Sequence, residues 1–256
     1  MLNSAAEKIN FLGLNFNNLN LDEAVDAVES FVKSKTPHLV FTTAAELIVR
    51  AQKEQLLKDV YNRSDLLMID SYVGCYAARF LGNKIKEAVS AAKLTFRFFE
   101  LKASKGYSFY ILGAKDEILN NAVKNLRQKY PGINIVGYHN GYFDFEKDEK
   151  IVQDIKDKKP DILLAAMSSP LKESFINKNF SNINVPVYIG VGGTIDIVAG
   201  KCQLAPKWVS AIGLEWFFRF IQEPRRLWKR YVFTNAIFIG LVLKDLLKKI
   251  LQVKSK

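Results

Sequence analysis

The stretch "DLLMID" ends an apolar run on a carboxylate, Asp70. A carboxylate at the end of a buried strand can act as a general base, because partial burial raises its pKa toward neutrality. The same residue could instead cap the helical pattern "SYVGCYAARFLG" that follows. "FTTAAE" places the hydroxyls of Thr42 and Thr43 at the end of another run, with Glu46 in the first turn beyond it. These hydroxyls can serve a site or simply cap a helix. "GVGGTID" sets Gly190, Gly192 and Gly193 after a third run. Glycines there let backbone N–H groups approach a phosphate or ribose closely, although a tight turn needs the same residues. The spacing is not GxGxxG, so a nicotinamide-type fingerprint is absent. Asp196 stands three residues on, where it can accept from a ribose or cap a helix. "NGYFD" offers Tyr142 as an aromatic platform for a base, or marks a hairpin or loop.

These residues need elements to hold them. "HLVFTT" (38–43), "DLLMID" (65–70), "YSFYILG" (107–113), "INIVGYH" (133–139), "DILLAAM" (161–167) and "PVYIGVGG" (186–193) read as strands. Most are continuous apolar runs, as strands buried on both faces require. Between them, "AAELIVRAQKEQLLKDVYNRS" and "DEILNNAVKNLRQKYPG" carry apolar residues at helical spacing, the second stopped by Pro-Gly. The alternation predicts an α/β fold with one doubly wound, mainly parallel sheet. Ligands of such sheets bind at the carboxyl ends of the strands. That end holds Thr42, Thr43, Asp70, Gly113, Ser168, Ser169 and the glycines of 190–193.

Composition bounds the rest. The 256 residues are 49% hydrophobic and 25% charged, an ordinary globular balance. Cys75 and Cys202 lie outside any CxxC pattern, and His38 and His139 are isolated, so no metal site and no disulfide framework is expected. The N-terminus lacks a secretory pattern, and the longest late apolar run, "AIFIGLVL", is far short of the roughly 20 residues that span a bilayer. The expectation is a cytoplasmic protein.

Net charge is +11, and residues 213–256 carry 10 Lys or Arg against 3 Asp or Glu. Within them "EWFFRFIQEPRRLWKRY" (215–231) mixes six aromatic rings with five cations. Pro224 suits the first turn of a helix. Beyond it, Ile239, Val242, Leu243, Leu246, Leu247, Ile250 and Leu251 recur at helical spacing with Lys244, Lys248 and Lys249 off the stripe. This is a basic amphipathic helix, which packs on its own domain or lies on a membrane surface. The upstream Trp and Arg residues favour the membrane, where rings and long cationic chains suit the headgroup layer. Charge alone would also admit nucleic acid, but no recognised binding module is present.

The stretches "YPGINIVGYHNGYFD", "VPVYIGVGGTIDIVAGK", "APKWVSAIGLEWFFRFIQEPRRLWKRY" and the weaker "DLLMID" together resemble the WecG/TagA/CpsF glycosyltransferase family over roughly residues 8–245. The resemblance implies a Rossmann-like core (1–212) with a C-terminal membrane-binding appendage (213–256). It further implies an inverting, metal-independent transfer from a UDP-sugar to an undecaprenyl-diphosphate-linked saccharide in cell-surface polysaccharide synthesis. The place would be the inner face of the cell membrane, with self-association as a homo-oligomer, no nucleic acid and no cofactor. By that resemblance Asp70 is the catalytic base and Thr42 lies beside the donor. Tyr142, Gly192, Gly193 and Asp196 bind the nucleotide, and Arg219 and Arg226 meet the diphosphate. Trp228, Arg225, Arg230, Lys244 and Lys248 face lipid.

The chain departs from the family pattern at several places. T-x-N-x-E reads with Ala44 for asparagine, and the glycine after the base is Ser71. E-R-V-x-G-x-D-L reads with Ala88, Ala91 and Lys93. G-[ST]-P-K-Q-E reads with Ser168, Leu171 and Lys172, and Leu204 replaces the arginine of R-A-P-x-W. The losses fall at sugar- and phosphate-proximal positions. They imply either a different donor sugar or, as the alternative, a member that binds nucleotide and membrane and supports another glycosyltransferase.

Overall fold

The computed structural model describes residues 7–254, except the side chains of Glu146, Lys207, Ala211, Arg226, 229–232 and 252–254. The six apolar runs form one sheet: β3 (His38–Thr43), β4 (Leu66–Ile69), β5 (Ser108–Gly113), β6 (Asn134–His139), β7 (Ile162–Ala166) and β8 (Val187–Gly190). Their order is β4-β3-β8-β7-β5-β6, and every pairing is parallel. Parallel neighbours need crossover helices, and these cover both faces.

One face packs against α2 (Ala45–Ala51), α3 (Gln55–Asn62), α7 (Glu149–Lys158) and α8 (Leu171–Ile183), with Ile48, Tyr61, Ile155 and Phe175 in its core. The other packs against α1 (Leu21–Ser34), α5 (Ala91–Lys102), α6 (Asp116–Lys129) and α9 (Thr194–Val198), through Val28, Phe98, Val123 and Ile195. Adjacent strands β3 and β8 therefore send their chains to opposite faces, β3 into α2 and β8 into α9. Such a switch point leaves a crevice at the strand ends. The doubly wound α/β reading holds.

Ahead of the sheet, β1 (Lys8–Phe11) and β2 (Leu14–Asn17) form an antiparallel hairpin that the sequence reading had passed over. Its turn residues Leu12 and Gly13 have φ of 50° and 77°. Two consecutive left-handed residues suit the right-handed twist of a two-residue hairpin. The hairpin buries Phe11, Leu14 and Phe16, and the Asn17 side chain accepts from the Leu67 N–H at 2.9 Å. The exposed edge of β4 is thereby covered.

The C-terminal segment forms α10 (Lys207–Ala211), α11 (Glu215–Gln222) and α12 (Pro224–Lys254), so Pro224 does open a helix. The single apolar stripe expected on α12 is in fact two faces. Phe238 and Val242 are buried against the core, Phe238 edge-on to Phe11 with ring centroids 6.2 Å apart. Leu241 and Leu246 pack beside them, and Lys249 Nζ donates to the Leu81 carbonyl at 2.9 Å. Ile239, Leu243, Leu247, Ile250 and Leu251 remain exposed on the other side. The reading of a helix packed on its own domain holds for the first face, and the second face is exposed. Among the described residues no helix is long and apolar enough to cross a membrane.

Candidate functional site at the strand-end crevice

Asp70 follows β4 directly, and α4 (Tyr72–Phe80) begins two residues later. The cap of α4 is Ser71, whose hydroxyl accepts from the Gly74 N–H at 3.3 Å. Asp70 is thus released from capping. Its Oδ2 accepts from the Thr42 hydroxyl at 2.8 Å. Thr42 does not cap α2 either, because the cap position is Ala44, which supplies no side-chain hydrogen bond. Both capping alternatives fail, and the two residues that could have been caps are bonded to each other.

Burial pushes the Asp70 pKa above the usual carboxylate range, and the negative charge of Glu215 adds to the rise. The Thr42 hydroxyl, the Ala91 N–H and the charge of Arg219 act in the opposite direction. The residue nevertheless keeps partial access to solvent. A carboxylate so placed is a base held closer to neutrality, with one oxygen fixed by a donor.

Arg219 comes from α11 and reaches the turn after β8. A methyl group added at Gly193 would collide with its guanidinium, so only glycine leaves room for this approach. Gly192 stands at φ 50°, and Gly193 precedes α9. Asp196, in the first turn of α9, pairs with Lys201 at 3.2 Å. Tyr142 is highly exposed on the loop after β6, while its neighbour Phe143 turns inward onto Phe145 at 4.6 Å between centroids. The parallel β6 rules out a hairpin at "NGYFD". Gly141 packs against Gly113 and Met167, so this loop sits at the ends of β5 and β7, well along the sheet from Asp70.

The structure therefore brings together Asp70, Thr42, Gly193 and Arg219, leaves Asp196 one turn away, and holds Tyr142 over other strands. Arg225, Trp228, Lys244 and Lys248 are exposed on α12. The side chains of Arg226 and Arg230 lie outside the described residues.

Four charged groups, in two pairs, had no role assigned from the sequence. Glu215 pairs with Lys93 at 2.6 Å, tying α11 to the start of α5. Lys172 is buried and pairs with fully buried Glu173 at 2.6 Å, and Glu173 also accepts from the Tyr61 hydroxyl at 2.7 Å. A methyl group at Gly190 would meet Lys172 Cε at 3.2 Å, so this lysine lies under the end of β8. Among the described residues no three His, Cys, Asp or Glu side chains cluster as metal ligands would.

A parallel sheet wound on both faces, with a carboxylate–hydroxyl pair and an arginine at its switch point, defines a Rossmann-like α/β protein. Residues 9–252 match the model of the glycosyl transferase WecG/TagA/CpsF family, and the chain belongs to that family. It is 28% identical, over 83% of its length and 82% of the relative's, to the N-acetylglucosaminyldiphosphoundecaprenol N-acetyl-beta-D-mannosaminyltransferase of Bacillus subtilis (strain 168). A transferase of the same name from Staphylococcus aureus (strain MW2) is 26% identical over 88% of each chain.

Proposed function

We propose that this protein transfers a sugar from a UDP-sugar donor to a polyprenyl-diphosphate-linked saccharide, with inversion and at a membrane surface. The observation that carries the reading is the pairing of Asp70 with Thr42 two strands away from the Gly193 turn under Arg219. Two strand spacings of about 4.8 Å leave room for one hexose between base and leaving group.

Asp70 takes the proton from the acceptor hydroxyl as that oxygen attacks the anomeric carbon. Thr42 holds the carboxylate in place by occupying Oδ2. On the opposite side of the sugar the UDP leaves with its bonding pair, and the Arg219 guanidinium meets the charge that develops on the diphosphate. No step needs a divalent ion if guanidinium supplies this charge. Attack and departure on opposite sides invert the anomeric centre. The relatives' acceptor, a diphosphoundecaprenol-linked N-acetylglucosamine, supports the acceptor class. The exposed apolar face of α12, flanked by Lys244 and Lys248, supports a peripheral position on an anionic inner leaflet.

The test is UDP release by the purified full chain with a lipid-linked acceptor and a panel of UDP-sugars. Asp70→Asn should lower turnover by roughly 10²–10⁴-fold, the usual contribution of a general base. Wild-type turnover in that variant, or no release with any donor, would refute the reading. The latter result would favour the alternative, a member that binds nucleotide and supports another transferase.

A further inference from the structure

The proposed function leaves open where the carrier lipid of the acceptor lies. The first turns of α4 and α5 hold a cation and an aromatic surface that the transfer step does not use. Lys93 Nζ stands 5.3 Å from the centroid of the Tyr72 ring, at the end of α4 nearest Asp70. Tyr72, Tyr76 and Phe80 recur every four residues and so share one face of the helix. The first two rings lie 6.2 Å apart, and Tyr76 and Phe80 are 48% and 62% exposed. Large rings exposed in series on a core helix are unusual unless something covers them. A methyl group at Gly213 would meet Tyr72 and Tyr76 at 3.3 and 3.4 Å, so the chain carrying exposed Leu214 forms one wall of this track.

We infer that this track binds the diphosphate and the first isoprene units of the acceptor's polyprenyl carrier, with Lys93 at the anionic head and Tyr76 and Phe80 under the chain. The assignment rests on the transferase reading and deepens it. The chemistry is that of an amphiphile: one cation, then an apolar path of about 12 Å at 1.5 Å per residue along α4. The head lies beside Asp70, where a saccharide on that diphosphate would present its hydroxyl. Arg219 sits on the other side, over Gly193, and remains for the donor. In this structure the anionic place at Lys93 is filled by Glu215, whose side chain is 25% exposed and can yield to a phosphate.

Binding of farnesyl diphosphate to the full chain, in detergent-free buffer, tests this by calorimetry, with UDP as the second probe. Lys93→Gln should weaken farnesyl diphosphate at least tenfold and UDP far less, because the docking of α12 on the core still holds the segment that carries Arg219. Tyr76→Ser with Phe80→Ser, both at exposed positions, should do the same. The exchanged pair Lys93→Glu with Glu215→Lys preserves the tie between α5 and α11 but puts a carboxylate at the head, so affinity should stay lost while the melting temperature recovers. Recovery of farnesyl diphosphate binding in the exchanged pair would make Lys93 a latch only and overturn the inference. So would equal weakening of UDP, no binding by the wild type, or a Tyr76/Phe80 variant that loses anionic vesicles but keeps farnesyl diphosphate. None of these measurements needs turnover. A wild type that binds as stated yet transfers no sugar would sink the transferase reading alone. Transfer at unchanged KM by the Tyr76/Phe80 variant would sink this inference alone.

Discussion

Replacing Thr42 by valine keeps the shape of β3 and deletes one bond, the 2.8 Å donation to Asp70 Oδ2. That bond favours the charged carboxylate, against the burial that disfavours it. A hydrogen bond to a charged group contributes about 1.5–3 kcal/mol. At 1.36 kcal/mol per pKa unit, its loss raises the Asp70 pKa by about one to two units. In the proposed mechanism Asp70 acts as base only when deprotonated, so the acid limb of kcat/KM against pH should move up by that amount. Turnover well above the limb should fall much less, through looser positioning alone. Initial rates of UDP release between about pH 4 and about pH 9, spanning the carboxylate and histidine ranges, would show the shift. An acid limb that stays in place, or moves down, would show that Thr42 does not stabilise the charged base and would refute this account of the pair.

Other expectations follow from the same geometry. Gly193→Ala is tolerated by the backbone, whose φ is −74°, but its methyl group displaces the Arg219 guanidinium. Turnover should drop roughly tenfold or more, for a lost charged contact of at least about 1.5 kcal/mol, with little change in melting temperature. Asp70→Asn should melt no lower than wild type at neutral pH, read by calorimetry. The folded-state pKa of Asp70 lies above its unfolded value, so the charged residue costs stability as pH rises through that interval. Phe238→Ala should cost about 3–5 kcal/mol in urea unfolding, because a buried ring is lost from between α12 and Phe11. Leu243→Glu with Leu247→Glu, on the exposed face, should leave unfolding unchanged and abolish flotation with anionic vesicles.

The strands were legible because burial on both faces demands unbroken apolar runs, and each of the six runs became a strand of the sheet. Asp70 and Thr42 were legible by position, since residues at the carboxyl ends of parallel strands converge. Their mutual bond was not, because it joins residues on neighbouring strands with a helical crossover between them. The hairpin at 8–17 escaped because its turn uses Leu12 in a left-handed conformation, where glycine or asparagine is the usual signal. The helical run after β3 splits into α2 and α3, which its uninterrupted periodicity did not show. On α12 the periodicity was real but gave no direction. A helix apolar on two sides looks like one wide stripe until a partner for one side is known. The ties of Lys93 to Glu215 and of Lys172 to Glu173 read in the sequence as departures or surface charge, and only the packing shows what each lysine meets.

The placing of Arg219 follows from two constraints at opposite ends of the C-terminal segment. Glu215 and Arg219 are four residues apart on α11 and so project from one face. Lys93 holds the first, which turns that face toward the crevice and carries the second over Gly193. Downstream, Phe238 and Val242 fix α12 against the core beside α2, the helix that begins where Thr42 and Thr43 end. The apolar docking bears most of this, because the ion pair, with its side chains about a quarter exposed, is weak by itself. Together they make the same segment that presents exposed apolar residues also carry the cation that the proposed mechanism sets against its leaving group. Under the proposed mechanism the arginine meets a diphosphate only when the segment is docked, so loosening α12 should lower turnover even in a soluble assay that contains no membrane.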